Sequence, residues 1–138
     1  MAFSDEEIAY LQSQPVARLA TVNENGQPDV VPVAFELDGS DVWVGGVGAA
    51  VLRTRKFRNI GAGRTKVSLV IDDLISIEPF IARALRVYGD GEPPIERVGM
   101  VGPGWFSRVV PRVSWSWNLA GEPAGEQWYD ANQTVHEP

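Results

Sequence analysis

The sequence predicts a mainly β fold with α decoration: a small barrel of about six antiparallel strands, with one N-terminal and one central helix. Two observations predict it. Short alternating runs of apolar and polar residues follow one another from Val16 to Leu119, and the tight-turn pairs Asn25-Gly26 and Asp38-Gly39 separate the first three. Helix signals, by contrast, are confined to the first dozen residues and to one stretch that begins near Ala49.

In chain order, Ser4-Asp5-Glu6-Glu7 opens a short helix. Ser4 and Glu7 form the S-x-x-E capping pattern, the acids sit near the positive end of the helix dipole, Ile8 and Leu11 point inward, and Pro15 marks the stop. Val16 to Val22, Pro28 to Leu37 and Asp41 to Val47 read as a strand–turn–strand meander. Ala49 to Ala62 reads as the central helix, closed by Gly61 and Gly63. Lys66 to Ile71 is a strand, Asp72 to Pro79 is irregular or a single turn, and Arg83 to Gly89 alternates again. A loop at Gly89-Asp-Gly-Glu-Pro-Pro94 and a break at Gly102-Pro-Gly104 precede the last strand, Val109 to Leu119. Residues 1–120 therefore form one barrel domain. Residues 121–138 form an acidic, poorly patterned tail, extended on the surface or disordered.

Composition narrows the chemistry. With 138 residues the chain can bury roughly two-thirds of its unfolded surface in a single core. No apolar run approaches the ~20 residues of a membrane span, and the acidic start is unlike a secretory signal, so the sequence reads as cytosolic. There is no cysteine, which removes thiolate catalysis and cysteine-held metals. The single histidine, His136, lies where chains fray, which argues against a Ser-His-Asp relay. Paired acids Asp72-Asp73 have no converging ligands and read as structural. Reactive atoms are thus expected from a cofactor. A net charge of −6 argues against nucleic acid.

Against that acidic background, Arg53, Arg55, Lys56, Arg58, Arg64 and Lys66, six of the 12 Lys+Arg, fall within fourteen residues. On one continuous helix, Ala50, Phe57, Ile60 and Gly61 share a face, Arg53 and Thr54 fall on its edges, Arg55, Arg58 and Asn59 point elsewhere, and Lys56 lies between. Only a subset drawn from Arg53, Thr54, Arg55 and Lys56 can then meet one anion near the helix start. A solvated helix with basic outer faces is the competing reading. Gly45-Gly46 permits close approach by a ligand or by another backbone, or marks a bulge. Pro32, in mid-strand, implies an edge or bulge. The tryptophans Trp105, Trp115, Trp117 and Trp128 read as core or dimer interface.

The stretches Arg18-Leu-Ala-Thr-Val22, Asn25-Gly-Gln-Pro-Asp-Val-Val-Pro-Val33, Gly45-Gly46, Thr54-Arg-Lys-Phe-Arg-Asn-Ile60, Thr65-Lys-Val-Ser-Leu-Val-Ile-Asp-Asp73 and Ser116-Trp-Asn-Leu119 occur in one order across residues 5–120. That ordered set resembles the pyridoxamine-5′-phosphate-oxidase-like (PPOX class) split β-barrels, FMN-binding-like in fold. Within these it is most similar to the branch that uses the deazaflavin coenzyme F-420. The resemblance implies a homodimer with cofactor sites in the groove between subunits. It implies a phosphate anchored by Arg55 and Lys56 with Thr54 alongside, and Asn59 bracing the loop. Pro32 and Val33 would lie against the ring system, Gly45 and Gly46 would border it, and Trp117 would stand near the interface. Hydride transfer to an enone, quinone or similar unsaturated ring follows as the implied activity. FMN in the same site, or a non-catalytic cofactor-binding protein, are the rivals. The sequence departs from the family pattern at Ala82, Ala84 and Tyr88, on the substrate-side wall, and Tyr88 is a conceivable proton donor or a packing residue.

Overall fold

The computed structural model describes residues 2–99 and 102–137. Helix α1 (Asp5–Ser13) opens as its capping pattern predicts: Glu7 N–H donates to Ser4 Oγ at 3.1 Å, and Ser4 N–H donates to Glu7 Oε1 at 2.9 Å. Strands β1 (Val16–Val22), β2 (Pro28–Asp38) and β3 (Asp41–Gly46) form the meander. A 3₁₀ turn (Ala49–Arg53) and helix α2 (Arg55–Gly61) follow, then β4 (Lys66–Ser76), β5 (Ile81–Gly91), β6 (Ile95–Gly99), β7 (Gly102–Trp117) and β8 (Ala131–Val135).

Six antiparallel strands in the order β3-β2-β1-β4-β5-β7 close into a barrel through the β7–β3 ladder. These are the six strands that the alternating runs predict. Ala17, Leu19, Val33, Phe35, Val42, Val44, Leu69, Ile71, Leu85, Val87 and Val109 fill the interior, because successive side chains on each strand face opposite ways. Phe57 and Ile60 of α2 are buried in that core, with the Ile60 side chain near Gly91 at the end of β5.

Three expectations are corrected. The central helix is not continuous: Thr54 is extended (φ −67°, ψ 151°) and separates the 3₁₀ turn from α2, its hydroxyl donating to Val51 C=O at 2.7 Å instead of capping α2. Strand β4 runs through Asp72 and Asp73, which tolerate the sheet because Arg18 and Arg83 on neighbouring strands neutralise them at 2.8 and 2.7 Å. Gly102-Pro103-Gly104 starts β7 rather than breaking the chain. A Cβ at Gly104 would collide with the Gly46 carbonyl, so glycine there permits the β3–β7 closure. Of the two readings of the tail, the extended one describes its end: β8 pairs with the last residues of β7, from Val113↔Val135 to Trp117↔Ala131.

His136 does not fray. It is buried, its Nε2 lies 2.8 Å from Ser114 Oγ, and its ring meets Phe3 edge-on at 4.6 Å. None of Trp105, Trp115, Trp117 and Trp128 enters the barrel core; three are half-buried and Trp128 is exposed.

Candidate cofactor site

The β2–β3 ladder runs from Asp38↔Asp41 to Phe35↔Val44 and stops. Beyond it β3 pairs with β7 alone, Gly45 opposite Phe106 and Gly46 opposite Trp105. Residues 28–34 of β2 are laddered only to β1, with Pro32 opposite Arg18. The expected edge at Pro32 is therefore real but local, a split in the barrel wall. Pro32 projects outward and Val33 inward, so only one of the two can present a side chain to a ligand on this edge. Gly45 serves the barrel's own closure: a Cβ there would collide with the Trp105 carbonyl and with Phe106. Gly46 has ordinary clearance, its nearest neighbour being Val51.

Lys56 stands beside the start of this edge. Burial pushes its pKa below the usual lysine value, and the charge of Asp29 at the foot of β2 pulls it partly back. Its Nζ lies 5.3 Å from the Phe57 ring centroid. Arg55 faces the opposite way. With Arg58 and Arg64 it lines a polar cleft of about 430 Å³, completed by Asn23, Glu24, Asn59 and Ala62. Asn59 is buried and donates to Thr21 Oγ1 at 3.0 Å, fixing α2 to β1, while its carbonyl accepts from Arg64 N–H at 3.2 Å.

Electrostatics single this cleft out. Among the described residues, none of the six cations from Arg53 to Lys66 forms an ion pair, whereas Arg18, Arg83, Arg97, Arg108 and Arg112 all do. The Nε of Arg64 is buried with no hydrogen-bond partner. A buried, unsatisfied charged donor is costly, and a phosphate or carboxylate would satisfy it. The donor set fits an anionic group.

Within one chain the structure brings Arg55 and Asn59 together, with Lys56 on the adjacent side of α2. Thr54 spends its hydroxyl on the main chain. Trp117 lies elsewhere, opposite Ala84 on the outer face of the sheet. Sequence reasoning left Arg58 and Arg64 out of the site. Arg58 was assigned by a continuous helix that the structure interrupts, and Arg64 is turned back by Gly63 at φ +95°. A signal for Arg64 existed, since Gly-Ala-Gly before an arginine marks a turn. Asp29 had none.

A family model described as pyridoxamine 5'-phosphate oxidase matches residues 3–97. The chain belongs to that family. A 5a,11a-dehydrotetracycline/5a,11a-dehydrooxytetracycline reductase of Streptomyces rimosus is similar to it, 39% identical over 92 residues. The aligned part is 67% of this chain and 64% of the reductase, so the chain spans under two thirds of that relative's length. Among solved structures, a conserved hypothetical protein from Mycobacterium tuberculosis aligns with TM-score 0.68 at 18% identity, covering 92% of this chain and 93% of that one. A protein titled F420 reductase aligns with TM-score 0.56 at 21% identity, covering 73% and 90%. Both likenesses bear on the fold, and the pyridoxamine 5'-phosphate oxidase barrel is shared across them. Among the described residues no helix is long and apolar enough to cross a membrane.

Proposed function

We propose that this member of the pyridoxamine 5'-phosphate oxidase family is a cytosolic, homodimeric oxidoreductase that binds a phosphate-bearing cofactor, the deazaflavin coenzyme F-420. Its substrate is a conjugated enone, quinone or similar unsaturated ring. The observation that carries the reading is the cleft of unpaired arginines around the buried, unsatisfied Nε of Arg64. Arg55, Arg58 and Arg64 would hold anionic oxygens through charge-assisted hydrogen bonds. Lys56 would add charge beside the split in the wall, where residues 28–34, laddered to β1 on one side only, turn their other edge toward a ring system. Asn59 keeps α2 in place through Thr21. When bound, reduced deazaflavin supplies a hydride, which leaves the protein to bind, orient and exclude water. The kinship with a reductase from Streptomyces rimosus supports oxidoreductase chemistry, and the structural likeness to an F420 reductase supports the choice of cofactor.

FMN is the second reading, because the same anchors accept any flavin phosphate and the family as a whole is that of an oxidase. Fluorescence titration of the purified protein with F-420 and with FMN separates the two. F-420 binding in the micromolar range or tighter is expected, and binding of FMN alone would overturn the cofactor assignment. Replacing Lys56 by Ala should weaken F-420 about tenfold to a hundredfold, as for loss of one charged hydrogen bond. Cofactor-loaded protein that reduces no member of a broad enone and quinone panel would be a carrier instead of an enzyme. Sedimentation as a clean monomer at micromolar concentration would remove the groove between subunits.

A further inference from the structure

The tail builds a second cavity, far along the sheet from the arginine cleft. Trp128 meets Phe80 edge-on, with ring centroids 5.7 Å apart and planes at 82°. Together with Trp117, Tyr129 and the small side chains of Ala82 and Ala84 they line a slot of about 290 Å³. This part of the tail is held in place by hydrogen bonds. Ala124 N–H donates to Phe80 C=O at 2.8 Å, and Ala82 N–H donates to the Tyr129 hydroxyl at 3.4 Å. Asn118 Nδ2 donates to Ala82 C=O at 2.8 Å and to Glu122 C=O at 2.9 Å, while Glu122 N–H returns a bond to Asn118 Oδ1. Continuation of the tail into β8 fixes its far end. An exposed tryptophan on a chain segment anchored this way is held out for contact. It is not fraying.

Among the described residues, the charged and hydroxyl groups at the slot are occupied, while the indole N–H groups of Trp117 and Trp128 are not. Arg83 is committed to Asp73 through two hydrogen bonds, of 3.0 and 2.7 Å, and the Tyr129 hydroxyl donates within the loop, to Glu122 C=O at 2.9 Å. Among the described residues no uncommitted charged side chain is left to receive a charged ligand, and apart from Arg83 the walls are ring faces and methyl groups. Perpendicular aromatic walls favour a plate over a sphere, since a flat ring can stack on one wall while meeting the edge of the other. Both Trp128 and Tyr129 lie beyond residue 97, where the family match ends.

We propose that this slot binds a flat, uncharged, multi-ring compound, with the tail residue Trp128 as one wall and a specificity-determining contact. Taking that compound to be the substrate rests on the oxidoreductase reading above; the preference of the slot for a planar apolar ring does not. The test therefore uses protein without cofactor. Nitrogen-15-labelled protein is titrated with 9-fluorenone, a planar three-ring ketone, and with benzophenone, its twisted counterpart. The five tryptophan indole N–H signals are followed, that of Trp128 being identified by its loss in Trp128→Ala. Fluorenone should shift Trp128 and Trp117 and leave Trp105 still, benzophenone should bind more weakly, and Trp128→Ala should weaken fluorenone about threefold to tenfold, the worth of one aromatic contact. Absence of shifts up to the solubility limit, equal binding of the twisted ketone, or an unchanged dissociation constant in the variant would each overturn the slot. Failure here leaves the F-420 titration untouched, and failure of that titration leaves this result standing.

Discussion

The protein carries two populations of positive side chains. On the strands, Arg18, Arg83, Arg97, Arg108 and Arg112 are met by Asp72, Asp73, Glu36, Glu92 and Asp90. Among the described residues, the six cations from Arg53 to Lys66 form no ion pair, although Glu24 shares the cleft of Arg55, Arg58 and Arg64 and the Asp29 charge acts on Lys56. Acids are not scarce, since 18 Asp+Glu stand against 12 Lys+Arg, so the segment lacks partners by placement and not by shortage. Arg86, on the sheet, forms no ion pair and its buried Nε has no hydrogen-bond partner, but ring faces meet its guanidinium, 4.3 Å from the Trp115 centroid and 5.1 Å from that of Tyr88. The segment's arginines have neither solution. Crowded like charges repel, and an anion from outside the chain would relieve that repulsion, as the proposed function requires.

The most severe way to break this contrast is to remove two of the unpaired cations. Arg55→Gln combined with Arg64→Gln should weaken F-420 at least about a hundredfold, from two lost charged hydrogen bonds. Its thermal midpoint should stay level or rise, because repulsion is relieved. A fall in stability with affinity intact would make these arginines structural and erase the distinction. The converse comes from the paired group. Arg97 is ion-paired to Glu36 and stacks at 4.2 Å over Trp43, so Arg97→Met should cost about 1–3 kcal/mol in urea unfolding while F-420 affinity holds.

The barrel and the candidate site were legible in the sequence to different depths. Alternation and the Asn-Gly and Asp-Gly turns specify β1 to β5 and the second half of β7, because a strand with one buried face must alternate. Short-range patterns do not carry β6, the start of β7 or β8. Gly102, Pro103 and Gly104 have the local character of a break, and only the distant Gly46 carbonyl explains why glycine stands in a strand there. Strand β8, Ala131-Asn-Gln-Thr-Val135, has almost no apolar alternation and forms because the edge of β7 is there to pair with. In the site, charge density located the segment, but pairing is a three-dimensional property. Which cations lack a partner, and that Arg64 joins Arg55 across the Gly63 turn, could not be read from composition.

A third kind of cation tests the comparison through pH. Burial, the largest influence, pushes the His136 pKa below the ordinary value of about 6.5; the Glu7 charge raises it and the chain's amino-terminal charge lowers it further. The folded protein therefore prefers the neutral ring against Ser114. Stability should be complete above the ordinary histidine pKa and fall as pH drops below it, since the unfolded chain takes up the proton first. Urea unfolding at about pH 7.5 and about pH 5.5 should show this loss in the wild type, and His136→Gln should flatten it. Asp73 and Glu92, whose carboxyls are held below their usual range by Arg83 and Arg108, act in a separate and more acidic window. A wild type equally stable at both pH values would mean that His136 is not held neutral by the fold.

The mildest change sharpens the comparison most. Arg112 pairs with Asp90 at 2.6 Å, yet the two side chains are 49% and 36% exposed. An ion pair so open to water is worth at most about 1 kcal/mol, and what remains shrinks further as salt screens it. The structural part of Arg112 is its main chain, the extra residue at the register shift between β5 and β7, whose carbonyl accepts from His136 N–H at 2.8 Å. Arg112→Ala keeps that carbonyl, so it should shift the urea midpoint barely and leave the pH dependence from His136 intact. A loss as large as that from Arg97→Met would show that being paired, irrespective of burial, is what the sheet arginines contribute. A negligible loss places the weight on burial, and with it on the reason a half-buried Arg64 without a partner demands an anion while an exposed Arg53 does not.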